Sequence, residues 1–226
     1  MKKITVIQTF ALIFISLSIN AQIITEGPSA QFLYPDFESG KVKMRNGQMH
    51  DLILNYNTIS EKMVYQKEGK LFDLMSYELT DTIYLQGSKF VPVGKSFYQA
   101  LLLASITFFV QYKGELLPPG APAGYGVNSQ VSNTKLWSSF ESSQGYYNLE
   151  LPSDYKVETD LIYWLRKDKE MISFINERQF LKISPDKETE LKKFIKENRI
   201  KFDKPEDVTR LAKFFNSLYQ DISILK

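Results

Sequence analysis

Residues 97–114 read FYQALLLASITFFVQYKG and take in most of a seventeen-residue run between Lys95 and Lys113 that carries no charge. The run is either a membrane span or part of a soluble sheet. Ile106, Phe108, Val110 and Tyr112 alternate with Ser105, Thr107, Gln111 and Lys113. Only Phe109 breaks the period of two, and a lipid-facing helix has no reason to show that period. Seventeen residues would barely span a bilayer, and five of these are Ser, Thr or Gln. The second half therefore predicts a strand. For FYQALLLAS both a strand and one helical turn fit, because Ser96 with Gln99 has the spacing of a capping box. In either case no transmembrane segment is expected in the mature chain.

The same alternation recurs on both sides. In GKVKMRNG (40–47), Val42 and Met44 alternate with Lys41, Lys43 and Arg45, and Asn46-Gly47 predicts a tight turn with both residues at positive φ. HDLILNYN (50–57) puts Leu52, Leu54 and Tyr56 on one face. MVYQKEGKLFDL (63–74) turns at Glu68-Gly69, and TIYLQGSKFVPV (82–93) turns around Gly87-Ser88. Strands this short and regularly spaced indicate antiparallel hairpins rather than βαβ units. GYYNLELP (145–152) reads as another strand, and LIYWLRKDKEMISF (161–174) as a hairpin turning near Lys167–Lys169.

Helices are expected only at the end. Asn176 with Gln179 has the spacing to cap a short one. Ser184-Pro185-Asp186 supplies a capping hydroxyl, a first-turn proline and an acid beside the dipole. Asp203 and Glu206 bracket Pro205 in a second start signal, after which Val208, Leu211, Ala212, Phe215, Leu218 and Tyr219 follow at helical spacing. The expected fold is thus α+β, mainly an antiparallel meander of short hairpins with a C-terminal helical pair on the sheet.

MKKITVIQTFALIFISLSINAQ has a basic start, a short apolar core and small Ala21 at a cleavage point, the layout of an export signal. Cleavage there would leave 205 residues with 26 basic against 26 acidic side chains. A formally neutral chain has no electrostatic footprint for nucleic acid. With no Cys, the exported protein must hold together by packing, without disulfides or thiolate metal sites. The expected organisation is a signal over 1–21, a β-rich region over 22–117, a Gly/Pro/Ser-rich connection over 118–143, and hairpins then helices over 144–226, in one compact unit.

The segments LNYNTISEKMVY (54–65), DTIYLQGSKFVPV (81–93) and FLKISPDKETELKKFIKENRIKFDKPEDV (180–208) resemble uncharacterised exported β-rich proteins of Gram-negative bacteria. That resemblance implies an exported β-rich architecture, placed in the periplasm or cell envelope, and no assigned activity.

Motifs for chemistry are sparse. Gly94-Lys95-Ser96 has the tail of a phosphate loop, but Lys89 stands where the first glycine is needed. No cofactor is expected. His50 is the only histidine, so a histidine-rich metal site cannot form, and its place beside a turn suits a Ser–His–carboxylate triad poorly. The C-terminal lysines interleave with Glu188, Glu190, Glu197, Asp203 and Glu206, a mixed solvated face. Asp81-Thr82-Ile83 matches a three-residue O-glycosylation acceptor of some exported bacterial proteins. Asp154, Glu158 and Asp160 cluster at strand ends as a candidate carboxylate pair for glycan hydrolysis. Tyr125 between glycines, with Trp137, Phe140, Tyr146 and Tyr147 after it, supplies rings that could stack on a sugar or accept a peptide strand. The expected role is a non-enzymatic binding or assembly protein of the envelope, with a protein or glycan partner; a carboxylate-pair glycan hydrolase is the alternative.

Overall fold

The computed structural model describes residues 22–26, 29–117, 146–147, 151, 155–167 and 169–220. Strands β1 (Gln22–Glu26), β2 (Glu38–Met44), β3 (Met49–Asn57), β4 (Lys62–Lys67), β5 (Lys70–Asp73) and β6 (Thr80–Leu85) are followed by β7 (Ser88–Val93), β8 (Ser96–Leu102) and β9 (Ile106–Leu117). Then come β10 (Tyr146–Tyr147), β11 (Lys156–Lys167) and β12 (Glu170–Phe174). Helices α1 (Glu177–Leu181), α2 (Glu188–Glu197) and α3 (Pro205–Gln220) close the described chain, with a 3₁₀ turn over Pro185–Lys187 leading into α2. The fold is β-dominated α+β, as the alternation implied. Among the described residues no helix is long and apolar enough to cross a membrane.

The strands join one antiparallel sheet in the order β1-β11-β9-β8-β7-β6-β2-β3-β4-β5-β10. It departs from a simple meander at β2, which pairs β3 on one edge and the later β6 on the other. The outer edge of β11 is shared. Its first half pairs with β1 and its second half with β12. All of Ser96–Leu102 is strand, so the helical option for FYQALLLAS falls away; Phe97 and Tyr98 are buried on opposite faces, which a strand allows and one amphipathic turn does not.

The turns follow the local sequence with two corrections. Glu68 and Gly69 both have positive φ, as expected for a two-residue hairpin. At Asn46-Gly47 only Gly47 is left-handed, and the hairpin is wider, with Gly47 N donating to Met44 O and Met44 N donating to Gln48 O. The β6–β7 turn lies at Gln86-Gly87, one residue before the expected Gly87-Ser88. Gly94-Lys95 is the β7–β8 turn.

One face of the curled sheet is filled by side chains. Leu54, Tyr56, Met63, Ile83, Phe90, Phe97 and Phe108 are fully buried, and Tyr56 stacks on Phe90 at 5.5 Å. Each such side chain contributes about 1.5–3 kcal/mol of burial. The helices cover the end of this face, where Phe215 meets Phe108 edge-on at 5.5 Å and Phe180 lies 4.9 Å from Phe174. Phe194 and Phe214 stack between α2 and α3 at 4.1 Å. Tyr163 on β11 donates to Phe202 O at 2.8 Å, tying the link between these helices to the sheet.

The helix starts differ in detail from expectation. Asn176 Oδ1 accepts from Gln179 N at 3.0 Å, the expected cap. Ser184 makes no cap bond; its Oγ instead accepts from Tyr219 OH at 2.8 Å, because α3 returns beside it. For α3 the acid that reaches back is Asp207, accepting from Lys201 N at 2.9 Å.

The sheet has one opening beside β9. β8 pairs with β9 only over Gln99–Leu102, while β9 continues to Leu117. The β3–β4 turn fills the gap: Thr58 O accepts from Gly114 N at 2.9 Å, and Glu61 O accepts from Phe97 N at 3.1 Å. Glu61 adopts φ +56° to make this turn. Gly114 is needed there, because a Cβ would collide with Thr58 Oγ1 and lie 3.1 Å from Val157 Cγ1.

Candidate functional site

Four outward residues line up across four strands. Lys89 on β7 is paired in register with Tyr84 on β6, Tyr84 with Lys41 on β2, and Lys41 with Asp51 on β3. At a strand spacing near 4.8 Å the row spans roughly 14 Å. It crosses a shallow, open depression of about 310 Å³ lined also by Ser39, Gly40 and Gln86. Gly40 lets the backbones approach there: a Cβ would sit 2.8 Å from both Tyr84 O and Leu54 Cδ1.

The electrostatics of the row are unequal. Lys41 Nζ is 2.6 Å from Asp51 Oδ1, and in the next row Lys43 Nζ is 3.1 Å from Asp81 Oδ2. Lys89 makes no ion pair among the described residues; its ammonium stands 6.0 Å from the centre of the Tyr84 ring. That ring is 36 % exposed, and Met49 and Ile53, on the same face of β3 as Asp51, are also exposed. An exposed ring beside donors and acceptors suits a ligand with one apolar face and a polar rim.

A second group of polar side chains occupies the outward face of β9 and β11. Gln111 Nε2 donates to Glu61 Oε2 at 2.5 Å, and Trp164 Nε1 donates to Gln111 Oε1 at 2.8 Å. Tyr98 stacks with Trp164 at 6.1 Å, and the Arg166 guanidinium lies 5.0 Å from the Phe109 ring. Burial raises the Glu61 carboxyl above its ordinary value, offset in part by Gln111 and Lys113. Further along, Glu158 faces Glu115 and Asp160 faces Lys113. Burial first, then the negative charges of Asp160 and Glu115, push the Glu158 carboxyl up.

Of the residues singled out from sequence, Tyr125, Trp137, Phe140 and Asp154 lie outside the described residues. Tyr146 is described only in its backbone, which pairs with Phe72 on β5. Glu158 and Asp160 do share the outward face of β11, alternating with buried Val157, Thr159 and Leu161. Thr82 of the glycosylation pattern is 9 % exposed and donates to Asp81 Oδ2 at 3.3 Å, which removes it as an accessible acceptor. His50 is exposed beside the β2–β3 turn, opposite Val42. Among the described residues no three potential ligands gather to hold a metal ion.

Sequence reasoning misses the Tyr84 row. Its nearest signal is TIYLQGSKF: a two-residue turn at Gln86-Gly87 pairs Tyr84 with Lys89, whereas one at Gly87-Ser88 pairs it with Val91. No protein family, no curated protein and no solved structure matches the chain.

Proposed function

We propose that this is an exported, non-enzymatic binding protein of the cell envelope that holds a glycan on the outward face of β2, β3, β6 and β7. The observation that carries this reading is the exposed Tyr84 ring set in a depression between Lys89 and the Lys41–Asp51 pair. An aromatic face takes the apolar side of a sugar ring, and the flanking charges take its hydroxyls. The filled interior of the sheet directs binding outward, since Tyr56, Phe90 and Phe97 occupy the space an enclosed ligand would need. Export rests on the sequence of residues 1–21.

Thermal unfolding of the purified protein against a panel of glycans and peptidoglycan fragments tests the reading. A ligand at a hundred times its dissociation constant adds about 2.7 kcal/mol, a rise of roughly 5–10 °C at this chain length. Tyr84→Ala should abolish the shift, read against the variant's own unliganded melting temperature, because a side chain 36 % exposed also contributes to packing. A shift that survives Tyr84→Ala moves the site elsewhere, and no shift with any glycan ends the reading.

The second reading, a glycan hydrolase, is favoured by the Glu158 group. Alternate residues of a strand lie roughly 7 Å apart, within the range of paired catalytic carboxyls. Burial, Asp160 and Glu115 all raise the Glu158 carboxyl above its ordinary value, which is the direction a general acid requires. New reducing ends released from a glycan, and lost in Glu158→Gln, would select it over simple binding.

A further inference from the structure

We infer that the sugar held at Tyr84 is an acidic one, with a carboxylate seated on Lys89, so that the ligand is an oligomer containing uronic-acid-like units. This rests on the glycan-binding reading and specifies its ligand. Three lysines border the face, and two of them already have acids: Lys41 has Asp51 and Lys43 has Asp81. Lys89 is the one of these three lysines with no acid among the described residues; its ammonium lies over the cross-strand Tyr84 ring, 6.0 Å from its centre. A pyranose lying on Tyr84 would bring a ring substituent toward that ammonium, where a carboxylate forms a charge-assisted hydrogen bond and a neutral hydroxymethyl only an ordinary one. On the other side, the Lys41–Asp51 pair presents a donor and an acceptor together, the combination a vicinal hydroxyl pair requires.

Charge also limits the class. A single free ammonium matches one carboxylate per bound unit, and a chain of net charge +2, or zero once residues 1–21 are removed, supplies no broad field to collect a dense polyanion such as nucleic acid. The row of roughly 14 Å is longer than one ring, so an oligomer gains contacts that a monosaccharide does not.

The test is a calorimetric titration of the purified protein with oligogalacturonate and, separately, with the neutral galactose oligomer of the same length. Tyr84→Ala, Lys89→Gln and the wild type are compared, with circular dichroism confirming that each is folded. The acidic oligomer is expected to bind the wild type about tenfold more tightly than the neutral one, an advantage lost in Lys89→Gln and reduced by salt. Equal binding of the two oligomers, both lost in Tyr84→Ala and unaffected by Lys89→Gln, would overturn the acidic assignment and leave the glycan site standing. Binding of neither oligomer by a folded wild type would overturn the acidic assignment, and the panel of neutral and peptidoglycan ligands then decides the glycan reading separately.

Discussion

The side-chain amide of Asn216 makes with Ile106 the two hydrogen bonds that a neighbouring strand would make. Its Oδ1 accepts from Ile106 N at 3.1 Å and its Nδ2 donates to Ile106 O at 2.8 Å, with both residues buried. Ser105 Oγ donates to the same Oδ1 at 3.1 Å. One side chain of α3 thus finishes the start of β9 and fixes the helix on the sheet.

Replacing Asn216 by Ala leaves two buried backbone groups without partners and should cost about 2–4 kcal/mol. Asn216→Asp keeps the accepting half and sets a carboxylate against Ile106 O, so its loss should shrink on acidification. Urea unfolding midpoints at neutral and acid pH measure both effects. A loss below about 0.5 kcal/mol for the alanine variant would mean that water replaces the amide at this site.

Glu61 gives stability a pH dependence of defined sign. Burial holds its carboxyl above the ordinary value of 4.5, so the folded chain binds that proton more tightly than the unfolded chain. The contribution is complete below pH 4.5 and is lost as pH rises through the raised folded value. Glu61→Gln removes this loss, and the variant should gain on the wild type as pH rises from about 4 to about 8. Unfolding midpoints that move in parallel for the two proteins over this range would place the Glu61 carboxyl in full contact with water.

Glu158 and Glu115 are like charges directly opposite each other on β11 and β9. Glu158→Gln should therefore stabilise the protein by about 0.2–1 kcal/mol at neutral pH. The gain should fall in high salt and vanish in acid, where the wild-type carboxyl is already protonated. Melting temperatures across a salt series check the expectation.

Gly114→Ala drives a methyl group into Thr58 and toward Val157, so the β3–β4 turn has to withdraw from the gap beside β9. The expected cost is about 1–3 kcal/mol. Thr58→Ala removes the colliding hydroxyl but also its bond to Gln31 O, so it carries a cost of its own. Together the two changes should cost less than their sum, and a double-mutant cycle of unfolding free energies measures the coupling.

The alternation of Ile106, Phe108, Val110 and Tyr112 is enough to identify β9, because a period of two has one structural meaning. It also marks Phe109 as the odd residue, and Phe109 proves buried under Arg166 on the outward face. The helices are legible for the same reason, from Leu191 and Ile195 and from Val208, Leu211 and Phe215 at helical spacing. Register is not legible. Alternation says that Tyr84 and Lys41 point outward, but their meeting depends on β2 pairing with β6 across three intervening strands, a long-range choice with no local signature. The wedge of Thr58 and Glu61 is hidden likewise, since the turn-forming composition of NTISE (57–61) says nothing about where the turn docks. Asn216 reads in sequence as a polar interruption in a helix, and only the position of Ile106 gives it a purpose.

The divided edge of β11 sets a timetable for the newborn chain. β1 is the first described strand to be made, yet its partner residues Lys156–Asp160 are made after β2 through β10. At roughly 5–20 residues per second, β1 waits on the order of ten seconds with its hydrogen-bonding groups unmatched. β12, by contrast, follows β11 after a short turn and can zip at once. The half-edge of β11 beside Glu158 therefore has no local hairpin to complete it and stays open until β1 docks. Until then it can accept a strand from another chain, and a synthetic peptide of sequence QIITE supplied during refolding would compete with β1 for the place.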